Sequence, residues 1–215
     1  MKRAVIFDMD GVIADSEYFN IMAKHQLLKN SGVQVEWNYH DQYLGTTHEF
    51  MWTAMKKELN LPGEIDDYMK EAEEIRRKLI AEEGMKPMPG VVDLITRIFK
   101  QNIPMAVASS SSKKDIVENL SGFGIIDDFQ TLVSGWDCQK GKPDPEVFLK
   151  ASEKLGILPE ECVVIEDSAN GVKAAKAAGM KCIGYAPSQA VKQDLSQADL
   201  IIEDFSKLSV DELLS

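Results

Sequence analysis

Short apolar runs, each too brief for a helix, recur at residues 4–7, 105–108, 131–133, 162–165, 182–185 and 200–202. From residue 90 onward nearly every interval between them carries a helical pattern. Strands that are apolar on both faces and separated by helix-length connections do not pair as hairpins. They call for a parallel sheet whose crossover helices cover both faces. The helices are marked by their own punctuation. Val91, Val92, Leu94, Ile95, Ile98 and Phe99 form one apolar face, and Ser112 followed three residues later by Asp115 resembles a capping box. Asp144 before Pro145 predicts a capped helix start that Gly156 ends, and Ser168 and Gly179 bracket a further helix.

Residues 16–84 break this rhythm. Ile65, Tyr68, Met69, Ala72, Ile75 and Leu79 keep helical spacing, and no alternating strand precedes them. The segment reads as a helical insert that leaves the sheet domain after the first strand and rejoins it near Pro87, Pro89 and Gly90. The expected architecture is therefore α/β, a Rossmann-like parallel sheet core from residues 1–15 and 85–215 with an α-helical domain inserted over 16–84. Linkers near residues 15–17 and 84–89 would let the insert tilt over the sheet edge. Trp37, Trp52 and Tyr43 are expected in the core of the insert rather than along a pocket.

With 215 residues and 44% apolar content, the chain can bury a core of that size. Its 24 Lys and Arg against 35 Asp and Glu, a formal charge of −11, disfavour nucleic acid and other polyanions. The basic clusters at 76–78 and 113–114 are short and read as solvated helix faces. Cys138, Cys162 and Cys182 are odd in number and widely spaced, which suits a reducing compartment. No apolar stretch approaches the roughly 18 residues of a membrane span, and the first strand begins without a secretory signal. A cytoplasmic protein, monomeric by default, is expected.

Ligands of an open parallel sheet bind beyond the carboxyl ends of its strands. The first strand delivers Asp8 and Asp10 there, the second Ser109 and Ser110, and the fourth Glu166 and Asp167. "KGKPDP" adds Lys142 just before a proline turn and a helix start. Two unit charges ~4 Å apart repel by ~4 kcal/mol at an effective dielectric of ~20, so four carboxylates are not offset by one lysine. Either carboxyls protonate or a multivalent cation sits among them. Oxygen-only ligands select a hard ion such as Mg²⁺, which keeps several waters and takes a substrate phosphate oxygen. The site therefore points towards phosphate chemistry. Asp15 and Glu17, in the same acidic stretch, read as cap or hinge residues.

These residues carry a resemblance. "FDMDGV", "VASSS", the lysine of "KGKPDPEVF" and "VVIEDSANGV" resemble, in order, the four motifs of the haloacid dehalogenase superfamily. The resemblance covers residues 5–172 and is nearest to the subgroup of β-phosphoglucomutase and sugar-phosphate phosphatases. It implies that the insert is a helical cap, that Asp8 is a nucleophile forming an aspartyl-phosphate, and that Asp10 is the general acid/base. It further implies Mg²⁺ held by an Asp8 carboxylate oxygen, the Asp10 backbone carbonyl and Asp167, with Glu166 in support through water. Ser109 and the amide of Ser110 would hold phosphoryl oxygens, and Lys142 would neutralise charge on Asp8 and the phosphoryl group. Asp10 argues against dehalogenation, which has no leaving alcohol to protonate.

Hydrolysis and mutation of a sugar phosphate share this core, so the cap must separate them. Mutases of the subgroup carry a histidine where Asn20 stands, an arginine just past the cap-loop glycine, and a lysine right after the serine motif. Here Gly45 is followed by Thr46, Thr47 and His48, and Ser112 precedes Lys113. Gly45, Thr47 and His48 form the candidate substrate loop, which offers few of the cationic donors a second phosphate requires. The expectation is hydrolysis of a small phosphate monoester, a sugar phosphate, with β-phosphoglucomutase as the alternative. Lys113 or Arg76 would then be the candidates for gripping a distal phosphate. A phospho-acceptor signalling domain needs no helical insert, and a binding module without turnover would not need Asp8, Asp10, Lys142 and Asp167 together.

Overall fold

The computed structural model describes residues 3–43, 48–187 and 193–215. In chain order its principal elements are β1 (Ala4–Phe7), α1 (Ser16–Asn30), α2 (His48–Glu58), α3 (Ile65–Glu83), α4 (Val91–Lys100), β2 (Met105–Ser109), α5 (Lys113–Gly122), β3 (Thr131–Ser134), α6 (Glu146–Leu155), β4 (Cys162–Glu166), α7 (Ala169–Ala177), β5 (Lys181–Tyr185), β6 (Leu200–Ile202) and α8 (Val210–Leu214). They form two compact units, one of Met1–Asp15 with Lys86–Ser215 and one of Ser16–Met85. Among the described residues no helix is long and apolar enough to cross a membrane.

In the first unit all six strands pair in parallel, in the order β3-β2-β1-β4-β5-β6. β1 lies between β2 and β4, with Phe7 opposite both Val107 and Ile165. The chain order reverses there, which makes the end of β1 a topological switch point. Alternate side chains take opposite faces. Ala4, Ile6, Ala106, Cys162 and Val164 pack with Val147, Phe148 and Ala151 of α6 and Val172 and Ala175 of α7. On the other side Phe7 meets Phe129 edge-on, with ring centroids 5.9 Å apart.

Three strands run one residue beyond their apolar runs. Ser109 pairs with Ser134, and Glu166 with Gly184, because backbone pairing does not stop at the first polar side chain. In α4 the buried stripe is Val91, Leu94, Ile95 and Ile98, whereas Phe99 falls off it at 46% exposure. Helix starts follow their punctuation at Ser112, whose hydroxyl accepts from Asp115 N, and at Ser168, whose hydroxyl accepts from Gly171 N. α6 starts one residue later than the Asp144–Pro145 pair predicts: Pro145 is the N-cap, and Asp144 Oδ1 accepts from Glu146 N at 3.1 Å.

The second unit is helical. Leu27 and Leu28 of α1, Met51, Trp52 and Met55 of α2 and Tyr68 of α3 share a core with Tyr43 and Leu61, and Trp52 stacks on Tyr68 at 5.5 Å. Trp37 departs from the expected core position. It opens a 3-10 turn, packs its ring on His25 at 5.4 Å and remains 48% exposed.

Candidate active site

Beyond Phe7 the chain leaves β1 with Asp8, whose amide still donates to Ile165 O at 3.0 Å, so its backbone is held against β4. Its side chain is buried. Lys142, on the loop between β3 and α6, reaches the same point. Its ammonium donates to Asp8 Oδ1 at 2.5 Å, Glu166 Oε1 at 2.8 Å and Ala108 O at 3.2 Å. Three acceptors satisfy its three N–H bonds. The ammonium also lies 4.7 Å from the Phe148 ring centroid, a cation–π contact from the first turn of α6. Burial opposes the charge on Lys142, but the neighbouring Asp8 and Glu166 outweigh it and hold its pKa above the ordinary lysine value. For Asp8 the balance is reversed. Burial pushes its carboxyl up to about 8, with Lys142 acting against the shift and Glu166 and Asp10 adding to it.

Glu166, the last residue of β4, accepts at Oε2 from Ser168 N at 2.7 Å and from Ser168 Oγ at 3.0 Å. Its carboxylate lies directly against Gly171 in the first turn of α7, where a Cβ would fall 1.6 Å from Oε1. Asp167 is half-buried, and its carboxyl lies well above the ordinary value because of burial first and repulsion from Glu166 and Asp8 second. It rests against Gly11, whose φ of +80° and lack of a Cβ are both needed, since a Cβ there would fall 2.0 Å from Asp167 Oδ2.

Asp10 sits on the turn after β1, where Gly11 N donates to Ala14 O at 2.9 Å. Its Oδ2 accepts from Ser111 Oγ at 2.5 Å and from Ser109 Oγ at 3.3 Å. Ser109 Oγ also accepts from Ser111 N at 3.0 Å, and Ser110 is exposed at the strand end. Asp8, Asp10, Ser109, Ser110, Lys142, Glu166 and Asp167 therefore stand together at the carboxyl edge of β1, β2 and β4. Lys142 donates to Glu166 Oε1 and Ser168 to Oε2, so the Glu166 carboxylate holds both groups in place. The Ser109 hydroxyl is already engaged by Asp10. Ser111, Ser168, Gly11 and Gly171 were not picked out as site residues. All four lie within the quoted motifs, but nothing in the sequence sets Ser111 on Asp10 or leaves Gly11 and Gly171 room for two carboxylates.

Gly45 and Thr47 lie outside the described residues, as does the side chain of His48, which opens α2. Of the candidates for a distal phosphate, Lys113 donates to Leu132 O, and Arg76 makes a paired bond to Glu73 at 2.8 and 3.0 Å. Asn20 donates to Glu17 Oε2 at 3.4 Å.

Among the described residues no three His, Cys, Asp or Glu side chains are gathered into a metal cage. Lys142 stands between Asp8 and Glu166, and Asp10 turns Oδ2 to the serines. Mg²⁺ does not need such a cage, because it binds through one or two carboxylates and keeps water and phosphate oxygens. The donors fit it: two acids with raised pKa values, Asp8 and Asp167, oxygen atoms only, and, among the described residues, Lys142 as the cation set against them.

The family model described as haloacid dehalogenase-like hydrolase matches residues 5–185. A phosphorylated carbohydrates phosphatase of Thermotoga maritima is 31% identical over 181 residues, covering 84% of this chain and 83% of that protein. The β-phosphoglucomutase of Bacillus subtilis is 29% identical, covering 98% and 93%. Among solved structures, CbbY from Rhodobacter sphaeroides in complex with phosphate superposes with a TM-score of 0.79 at 26% identity, covering 99% of both chains.

Proposed function

Because the chain belongs to the haloacid dehalogenase-like hydrolase family, we propose that it is a Mg²⁺-dependent phosphatase acting on a small phosphate monoester, a sugar phosphate. The observation that carries this reading is the convergence of Asp8, Asp10, Lys142 and Asp167 on one strand edge, with Lys142 fixing Asp8 Oδ1. In the first step an Asp8 carboxylate oxygen bonds to phosphorus as the bond to the leaving oxygen breaks, and Asp10 delivers a proton to that oxygen. In the second step water attacks phosphorus, Asp10 takes its proton, and the phosphorus–Asp8 bond breaks to release inorganic phosphate. Lys142 orients the nucleophile and neutralises charge on the phosphoryl oxygens. The Ser110 amide at the end of β2 is the donor proposed for those oxygens. Bound at an Asp8 oxygen, the Asp10 carbonyl and Asp167, Mg²⁺ would supply the charge that keeps Asp8 ionised despite its burial. Unit Ser16–Met85 is read as the substrate-selecting cap.

Hydrolysis is favoured over mutation because Lys113 and Arg76 already have partners in Leu132 O and Glu73. A mutase needs cationic groups for a second phosphate. The test is to supply the protein with Mg²⁺ and a panel of sugar phosphates, measuring free phosphate alongside conversion of β-glucose 1-phosphate to glucose 6-phosphate. Phosphate release that disappears in Asp8→Asn supports the reading. Release that survives the substitution overturns the mechanism, and isomer formation without release replaces the phosphatase with the mutase.

A further inference from the structure

We propose that Ser111 is a positioning residue that aims the Asp10 carboxyl for proton transfer, an inference that rests on the phosphatase reading above. Asp10 lies past the end of β1 and is only half-buried, so neither the sheet ladder nor close packing fixes its side-chain torsions. Two hydroxyls do so instead, both on the same oxygen. Ser111 Oγ meets Oδ2 at 2.5 Å and Ser109 Oγ at 3.3 Å, whereas Oδ1 accepts no hydrogen bond from a described residue. One carboxyl oxygen is thereby anchored and the other is left for proton exchange. The shorter bond belongs to Ser111, and the longer one by itself would leave the carboxyl free to swing.

Ser111 is itself held from two strand ends. Its amide donates to Ser109 Oγ at 3.0 Å, and its carbonyl accepts from Ser134 Oγ at 2.7 Å. Ser134 closes β3, is fully buried, and accepts from Trp136 N at 3.2 Å. Asp10 is thus connected to β2 and β3 through hydrogen bonds whose donors and acceptors are all accounted for. Proton transfer depends on such aim, because an acid that points away from the leaving oxygen contributes nothing to the step it serves.

The experiment uses two substrates that differ in their need for that proton. When the P–O bond of an alkyl phosphate breaks, the electron pair stays on an alkoxide oxygen that takes the proton of Asp10. p-Nitrophenyl phosphate releases a stable phenolate that needs none. The first turnover is followed by rapid quench for wild type, Ser111→Ala, Ser134→Ala and Ser111→Thr, each checked for folding by circular dichroism. Ser111→Ala is expected to lose roughly tenfold more rate on the alkyl than on the aryl ester, short of the ~10²–10⁴ that a general acid contributes. Ser134→Ala should show a smaller bias of the same sign, and Ser111→Thr, which keeps a hydroxyl, should restore the wild-type ratio. Equal losses on both esters in the two alanine variants, or a folded threonine variant with the alanine bias, overturn the inference. A wild type without Asp8-dependent phosphate release would instead overturn the phosphatase reading itself.

Discussion

Gly171→Ala would place a methyl group in the space of the Glu166 carboxylate, 1.6 Å from Oε1, 1.8 Å from Cδ and 2.4 Å from Oε2. The end of a glutamate usually swings aside at little cost. This one is buried and tied to Lys142 at 2.8 Å and to the amide and hydroxyl of Ser168 at 2.7 and 3.0 Å. Hydrogen bonds to a charged group contribute ~1.5–3 kcal/mol each, and breaking a buried ion pair costs ~3–5 kcal/mol. Alanine in place of glycine within α7 gains about 1 kcal/mol in helix propensity. The carboxylate is displaced, not removed, and keeps part of its pairing, so the ion-pair loss falls towards its lower limit. The net expectation is a destabilisation of about 2–4 kcal/mol. At ~2–4 °C per kcal/mol for a chain of this size, Tm falls by about 4–16 °C. The assay is thermal and urea unfolding of wild type, Gly171→Ala, Glu166→Ala and the double variant, arranged as a mutant cycle. Once Glu166 is truncated the added methyl has nothing to displace, so the Gly171 cost should largely vanish. A Gly171→Ala protein as stable as wild type, or a cost undiminished in the Glu166→Ala background, would refute the reasoning.

Two further outcomes concern protons, one in each unit. Burial raises Asp8 from 3.8 to about 8, so between those values the folded state holds a proton that the unfolded chain has released, and the stability this supplies at low pH is lost as pH rises through about 8. Urea midpoints in EDTA should therefore fall from pH 5 to pH 8 relative to Asp8→Asn, and Mg²⁺ should raise the pH 8 value; a wild-type-to-variant difference independent of pH would contradict this. His40 is buried with neither ring nitrogen hydrogen-bonded to a described residue, and burial, then Lys24 and His25, hold it down to about 4 from 6.5, so its contribution is present above pH 6.5 and is lost as pH falls through about 4. His40→Phe, which removes two orphaned nitrogens but keeps a ring, should stabilise the helical unit by ~1–3 kcal/mol and reduce that acid sensitivity, as read by unfolding at pH 5 and 7; a less stable variant would show that the imidazole is needed.

The sheet was legible because strands buried on both faces must be continuously apolar, a pattern visible without any knowledge of neighbours. The same rule ended each strand one residue early at Ser109, Ser134 and Glu166, since side-chain polarity says nothing of where backbone pairing stops. Apolarity places Phe99 and Trp37 inside, but exposure depends on which helix face meets a partner, and that is a property of packing. The meeting of Asp8, Lys142, Glu166 and Asp167 could be inferred because every parallel strand delivers its carboxyl end to one edge. Composition and periodicity thus determined the sheet, the helical insert and the gathering of acids around one lysine. Tertiary structure alone decided that Ser111 holds Asp10, that Ser168 and Lys142 divide Glu166, and that Gly11 and Gly171 leave room for two carboxylates. Hydrogen bonds and close contacts depend on positions to within an ångström, whether Ser111 meets Asp10 across 101 residues or Ser168 meets Glu166 across two, and a one-dimensional pattern carries only the period and polarity of each segment.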